Sequence, residues 1–180
     1  IEPVSADVEK RNQRAFQGEL EVTKLSYHAL GHVMNRYAIL DAGSALGRNC
    51  GPLLIAARIL GMDELAGQPV AIPGKYTTAH LLLSLAFPTI QEKREMLFSE
   101  IEPAILNEQV TAGLIIHENR FTYRNKGLVK LIDLGKYWEK ETGHPIPLGG
   151  IAIRRDVPKE VKQAFGVLLR ESVQRALSDP

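Results

Sequence analysis

An α/β fold of two lobes, with mixed, mostly parallel sheets and a central cleft, is what the sequence predicts. Three observations predict it. Short apolar runs alternate with helical patterns along the whole chain, the order that yields right-handed crossovers between parallel strands. Two of those runs, at residues 53–57 and 114–116, are apolar at every position, as strands buried on both faces are. Finally, the strands at 53–57 and 151–153 stand just before and just after a self-contained αβ block. A chain that leaves one sheet and later returns to it makes two lobes. The expected bounds are 1–66 with 146–180 for the large lobe and 67–145 for the small one.

The elements follow in order. Asp7 and Gly18 bracket a helical pattern as N-cap and C-terminal glycine. A strand at 22–25 leads to Ser26, whose hydroxyl is suited to cap a helix reaching Met34, and a short strand follows at 38–40. The loop from Asp41 to Gly51 sets three glycines around Arg48, a composition that lets backbone N–H groups and a guanidinium approach an anion. Its glycine spacing fits neither the dinucleotide fingerprint nor the P-loop. A strand at 69–72 ends in Pro73-Gly74, and Thr77 heads a helix to Ala86; unpaired first-turn amides and the helix dipole make such a head a seat for a carboxylate or phosphate. A strand at 94–98, a helix at 100–109, the strand at 114–116, a strand at 128–132 and a helix at 134–141 come next. The segment 142–149, with Pro145, Pro147 and Gly149, reads as the strongest break in the chain. After it come a strand at 151–153 and a long helix opened by Pro158 and interrupted by Gly166.

With 180 residues, 44% of them hydrophobic, the chain can bury a substantial core. A net charge of +1 carries no electrostatic message, so neither nucleic acid nor an anionic membrane is favoured as a partner. Cys50 is the only cysteine and rules out an internal disulfide; a small buried residue is the expectation for it. No run approaches the ~20 apolar residues that cross a bilayer. The chain opens on Ile1 and stops after a helical pattern, which leads to the expectation of truncation at both ends.

His117 is the residue of greatest chemical interest, because it falls at the carboxyl end of the apolar strand at 114–116, where open α/β sheets collect ligands and catalytic side chains. An imidazole there can exchange a proton near neutral pH, although a structural histidine fits the position equally well. His28 and His32 share one helix face, but Ala29 stands where a zinc peptidase needs its Glu, so two ordinary helix histidines are expected and no metal site. His80 is expected to pack on its helix, His144 to belong to a turn, and Trp138 to line a core or pocket. Ser26, Thr78 and His117 remain as two neutral donors and one titrating base, a set suited to a small polar or carboxylated ligand, whether to bind it or to transform it.

Four blocks, Thr23-Lys24-Leu25-Ser26-Tyr27, Gly43-Ser44-Ala45-Leu46-Gly47-Arg48, Pro73-Gly74-Lys75-Tyr76-Thr77-Thr78-Ala79 and the run from Gly113 to Tyr123, resemble in order those of the 1,4-dihydroxy-6-naphthoate synthases. Ile132-Asp133-Leu134-Gly135 and Pro147-Leu148-Gly149 do so too, and the resemblance covers essentially the whole chain. It implies a fold like that of type II periplasmic binding proteins and a cytoplasmic lyase of menaquinone biosynthesis. The implied reaction converts cyclic dehypoxanthine futalosine to the naphthoate and releases a sugar-derived fragment, without metal or organic cofactor. The resemblance assigns proton acceptance to His117 and substrate contact to Lys24, Leu25, Ser26, Thr78 and Ala79. Thr77 and Arg48 join the binding set from the residue-level reading above. Two other functions stay open on the same fold: a non-catalytic solute-binding protein for a small carboxylate, and a chorismate dehydratase.

Overall fold

The computed structural model describes residues 4–179. Its strands are β1 (Val22–Ser26), β2 (Tyr37–Ile39), β3 (Ala45–Gly47), β4 (Leu53–Ala56), β5 (Val70–Ile72), β6 (Lys93–Glu95), β7 (Ala112–Ile115), β8 (Val129–Asp133) and β9 (Ile146–Arg154). The helices are α1 (Val8–Gln17), α2 (Tyr27–Val33), α3 (Thr78–Ala86), α4 (Phe98–Leu106), α5 (Asn119–Thr122), α6 (Leu134–Thr142) and α7 (Lys159–Ser178), with single tight turns at Met62–Leu65 and Tyr123–Lys126. Two compact units result: one combines the chain up to Leu46 with the chain from Pro147, and the other is continuous from Gly47 to Ile146.

In the first unit β9 is the central strand. It pairs antiparallel with β1, from Val22 opposite Ile153 to Ser26 opposite Gly149, and with β2, where Tyr37 faces Arg154. β3 pairs with it as well. Ala15, Leu25, Leu30, Val33, Tyr37 and Ala152 form the core beneath α1 and α2. The ends of α1 are set as the sequence predicts: Asp7 accepts the Lys10 amide at 2.9 Å, and Gly18 takes a left-handed φ of 71°.

Two expectations fail in this unit. The Ser26 hydroxyl makes no capping bond to α2. Buried Asn12 claims it instead: its amide nitrogen reaches Ser26 Oγ at 3.3 Å, and its oxygen accepts the Ser26 N–H at 3.2 Å. Nor is the Pro- and Gly-rich segment a break, because β9 runs straight through Pro147, Gly149 and Gly150. Pro147 lies ahead of the rungs that β9 shares with β1, so its missing N–H costs that ladder nothing. Gly149 is required by proximity, since a Cβ there would lie 2.5 Å from the Leu25 carbonyl oxygen.

The second unit holds a five-stranded sheet in the order β6-β5-β7-β4-β8. It is mixed: β5 runs parallel to β6 and β7, whereas β4 is antiparallel to β7 and β8. The expectation of mostly parallel pairing is therefore corrected, since antiparallel ladders also carry the whole of β1, β2, β4 and β8. The same pairings place residues 47–66, expected with the large lobe, in the second unit. β4 has no pairing with β9; it needs β7 and β8, which lie later in the same unit. Strands β4, β5 and β7 are buried along their whole length, as apolar runs without alternation require. Ile101, Ala104 and Ile105 of α4 close one face over Leu53, Ile55, Ala71 and Ile115. Phe98, expected to end a strand, opens α4 instead, and β6 stops at Glu95.

Among the described residues no helix is long and apolar enough to cross a membrane.

Candidate active site

The register of the second sheet decides which side chains meet. Val70 of β5 lies opposite Ala112 of β7 and Lys93 of β6, all three strands running the same way, so their carboxyl ends share one edge. β4 begins at that edge, with Leu53 opposite Ile115, and β8 ends there, with Asp133 opposite Leu53. The edge thus collects the heads of α3, α4 and α6 together with His117.

His117 stands two residues past β7, exposed, with a left-handed backbone (φ 56°) that a residue other than glycine rarely adopts. Its ring lies edge-on to Phe98, centroids 5.5 Å apart. The segment after it is tied down at three points. Asn119 donates to Glu102 at 2.8 Å and Lys126 reaches the same carboxylate oxygen at 2.6 Å. Arg120 donates to the Gly51 carbonyl at 2.6 Å and lies 3.5 Å from Asp133. The other Asp133 oxygen caps α6 by accepting the Gly135 and Lys136 amides at 3.0 and 3.1 Å. Beside this segment is a cavity of about 430 Å³ whose wall includes Arg120, Arg124, Lys130 and Lys136 against the single carboxylate of Asp133.

The head of α3 is built with equal economy. Thr77 accepts the His80 amide at 3.3 Å, as an N-cap should, and its own hydroxyl donates to the Gly74 carbonyl at 2.8 Å. Lys75 is held from both sides, its amide by Glu95 at 3.1 Å and its carbonyl by His80 Nδ1 at 2.6 Å. A carbonyl only accepts, so Nδ1 carries the His80 proton and Nε2 is left to accept from Ser84 at 3.2 Å. Ser84 Oγ in turn receives the Lys93 ammonium at 2.9 Å. Burial holds the pKa of both His80 and Lys93 below their ordinary values. His80 is therefore a link in the loop, more than the packing residue expected.

A pH dependence follows. A histidine whose folded pKa lies below its unfolded value of about 6.5 leaves the unfolded chain binding more protons, so stability rises with pH in that range. The contribution of His80 is present above that value and is lost as pH falls below it. Urea unfolding of the protein at pH 7.5 and pH 5.0 should show this loss, and the difference should shrink in His80→Asn. An unchanged difference would assign the effect to other groups.

The remaining predicted residues are placed as follows. Thr78 and Ala79 are buried in the first turn of α3, directly after Thr77. Arg48 is exposed and donates to the Gly143 carbonyl at 3.3 Å, at the end of α6 away from the Asp133 cap. Its guanidinium is thereby engaged with a main-chain carbonyl, and the neighbouring Asn49 amide donates to Glu139 at 2.7 Å. Lys24, Leu25 and Ser26 lie on β1 in the other unit, Lys24 exposed and the two others buried. Cys50 is exposed, which corrects the expectation of a buried residue; it sits in an open turn ahead of β4. His28 and His32 do share a helix face, with Nε2 atoms 3.4 Å apart. Among the described residues no group of three or more His, Cys, Asp or Glu side chains could hold a metal ion.

Phe98, Glu102, Arg120 and Asp133 were not singled out from the sequence as parts of the site. For Glu102 a signal existed, a lone carboxylate inside the apolar run from Ile101 to Ile105.

The profile of a family described as "Menaquinone biosynthesis" matches residues 1–180. The chain belongs to this family. Within it, a Thermus thermophilus protein named 1,4-dihydroxy-6-naphthoate synthase is 46% identical over 183 residues, covering 100% of this chain and 65% of its own length. A Streptomyces coelicolor protein of the same name is 44% identical over 180 residues, covering 97% and 63%. The chain thus spans a little under two-thirds of the curated relatives it matches. A crystal structure from Archaeoglobus fulgidus superposes with a TM-score of 0.91 at 42% identity, over 98% of this chain and 66% of that one. The substrate-binding protein of an amino acid ABC transporter gives a TM-score of 0.63 at 10% identity, over 95% and 74%, which shows the periplasmic-binding-protein-like fold alone.

Proposed function

We propose that this chain carries the chemistry for which its relatives are named, the formation of 1,4-dihydroxy-6-naphthoate from cyclic dehypoxanthine futalosine. The single observation that supports this most is the position of His117: exposed at the carboxyl edge of the sheet, two residues past the strand next to the one that leads into Thr77 and α3.

The chemistry suits these groups. Eliminating a sugar-derived fragment to leave an aromatic ring requires a proton to be taken from carbon next to a carbonyl. A neutral imidazole removes that proton, the electron pair moves onto the carbonyl oxygen, and its return expels the fragment. Preorganised donors stabilise the oxyanion far better than water does. In this reading His117 is the base, and Thr78 and Ala79 with the Thr77-capped helix head receive negative charge on the substrate; for Lys24, Leu25 and Ser26 the proposed substrate contact rests on the family resemblance alone. Arg48 is proposed to contact the substrate through guanidinium N–H groups other than the one that donates to Gly143. The cationic wall around Arg120 and Lys136 favours a carboxylated ligand near the same edge. The reaction as written consumes no electrons and needs no metal or organic cofactor. The proposed setting is the cytoplasm, and the proposed partner is this small molecule, with no nucleic acid or membrane.

The test is incubation of the purified protein with cyclic dehypoxanthine futalosine and chromatographic detection of the naphthoate. Product that depends on His117 supports the reading. No naphthoate, or solute binding without turnover, removes it.

A further inference from the structure

We propose that Glu102 is a positioning residue for His117, acting through Asn119 and Lys126; the role rests on the reading of His117 as the reacting base. Glu102 is 1% exposed and sits on α4 among Ile101, Ala104 and Ile105, where an apolar side chain would serve packing better. One of its oxygens accepts both Asn119 and Lys126, at 2.8 and 2.6 Å. The other has no hydrogen-bond partner among the described residues. A buried carboxylate held by two donors from one short stretch of chain clamps that stretch.

The stretch is the one His117 begins. Asn119 lies two residues after it, and Lys126 closes the second tight turn just before Gly127, which is itself left-handed at φ 78°. Both ends of this segment are therefore fastened to one point on α4. Phe98 lies one helical turn before Glu102, on the same face, and supplies the edge contact to the His117 ring. Thus one face of α4 fixes the imbalance that a left-handed histidine creates: Glu102 holds the backbone beyond it and Phe98 borders the ring. A non-glycine residue persists in such a conformation only where its surroundings over-determine it.

The experiment uses Glu102→Ala, Glu102→Gln and Asn119→Ala, each assayed for kcat and KM with the substrate above and for amide hydrogen exchange. Asn119→Ala cuts the clamp from the surface side and leaves the core intact. It is expected to lower kcat about tenfold with KM little changed, because a base displaced by a fraction of an ångström loses alignment rather than affinity. Amides of residues 117–126 should exchange faster in Asn119→Ala and Glu102→Gln, while those of β4 and β7 keep their protection. Glu102→Gln keeps one acceptor and should recover part of the kcat lost in Glu102→Ala. Unchanged exchange at 117–126 overturns the proposal, as does a loss of protection spread evenly over the second unit. Should the unsubstituted protein make no naphthoate, the proposed reaction fails on its own. The exchange measurement still decides whether Glu102 holds this segment, and should Glu102→Ala not fold, Asn119→Ala decides it.

Discussion

Replacing His117 with alanine is expected to lower kcat for naphthoate formation by about 10³-fold, within the range a positioned general base supplies. The fold should be almost untouched: His117 is exposed and its ring lies edge-on to Phe98, so unfolding free energy should change by no more than about 0.5 kcal/mol. This separation of effects makes the variant informative. Alanine retains the left-handed backbone and its strain, whereas His117→Gly relieves it and should stabilise by up to about 1 kcal/mol while losing the same activity. Exogenous imidazole should restore part of the rate in the smaller variant. Activity equal to the unsubstituted protein in both variants would remove His117 from the mechanism.

The second large effect is expected at Gly135. Its Cα faces Gly51 so closely that a Cβ added to Gly135 would lie 2.7 Å from the Gly51 Cα and nitrogen, and 2.8 Å from Ile146. The Ile146 contact is the end of a side chain and can turn aside, but the Gly51 contact is main chain and cannot. Gly135→Ala must therefore push α6 away from the start of β4. The cost is expected at the upper end of overpacking, about 3 kcal/mol, read as a lower midpoint in guanidinium unfolding. The same shift would move the Gly51 carbonyl that receives Arg120, so kcat should fall too, despite the distance in sequence. A midpoint within error of the unsubstituted protein would show that the two backbones are not packed as described.

Local chemistry was legible in the sequence, and long-range partnership was not. Asp7, Gly18 and Thr77 mark helix ends in the structure as they do on paper, because a cap is settled within one turn. The buried strands β4, β5 and β7 were legible from unbroken apolar runs, and with them the place of His117 at a strand's end. The role of Ser26 was not, since its hydroxyl answers to Asn12 on another helix and not to its own. The course of β9 was hidden for the opposite reason. Proline and glycine announce a break locally, yet here the first lies outside the rungs shared with β1 and the second makes room for the Leu25 carbonyl. Glu102 illustrates a third case: a carboxylate in an apolar run is visible, but its donors lie beyond the next strand. The parallel character of the sheets was overestimated because alternating helices and strands also accommodate β4, which enters its sheet against the direction of β7.

The pairing of β1 with β9 also bears on how the molecule assembles. Every rung of that ladder joins residues that flank the second unit in sequence, so closing it requires a loop that contains that whole unit. During synthesis the continuous unit is complete once Ile146 has emerged, while β1 still waits for its neighbour. Folding is therefore expected to proceed from the middle outward, with an early product in which β1 and α1 lack their central strand. Chaperone capture would act on that exposed edge.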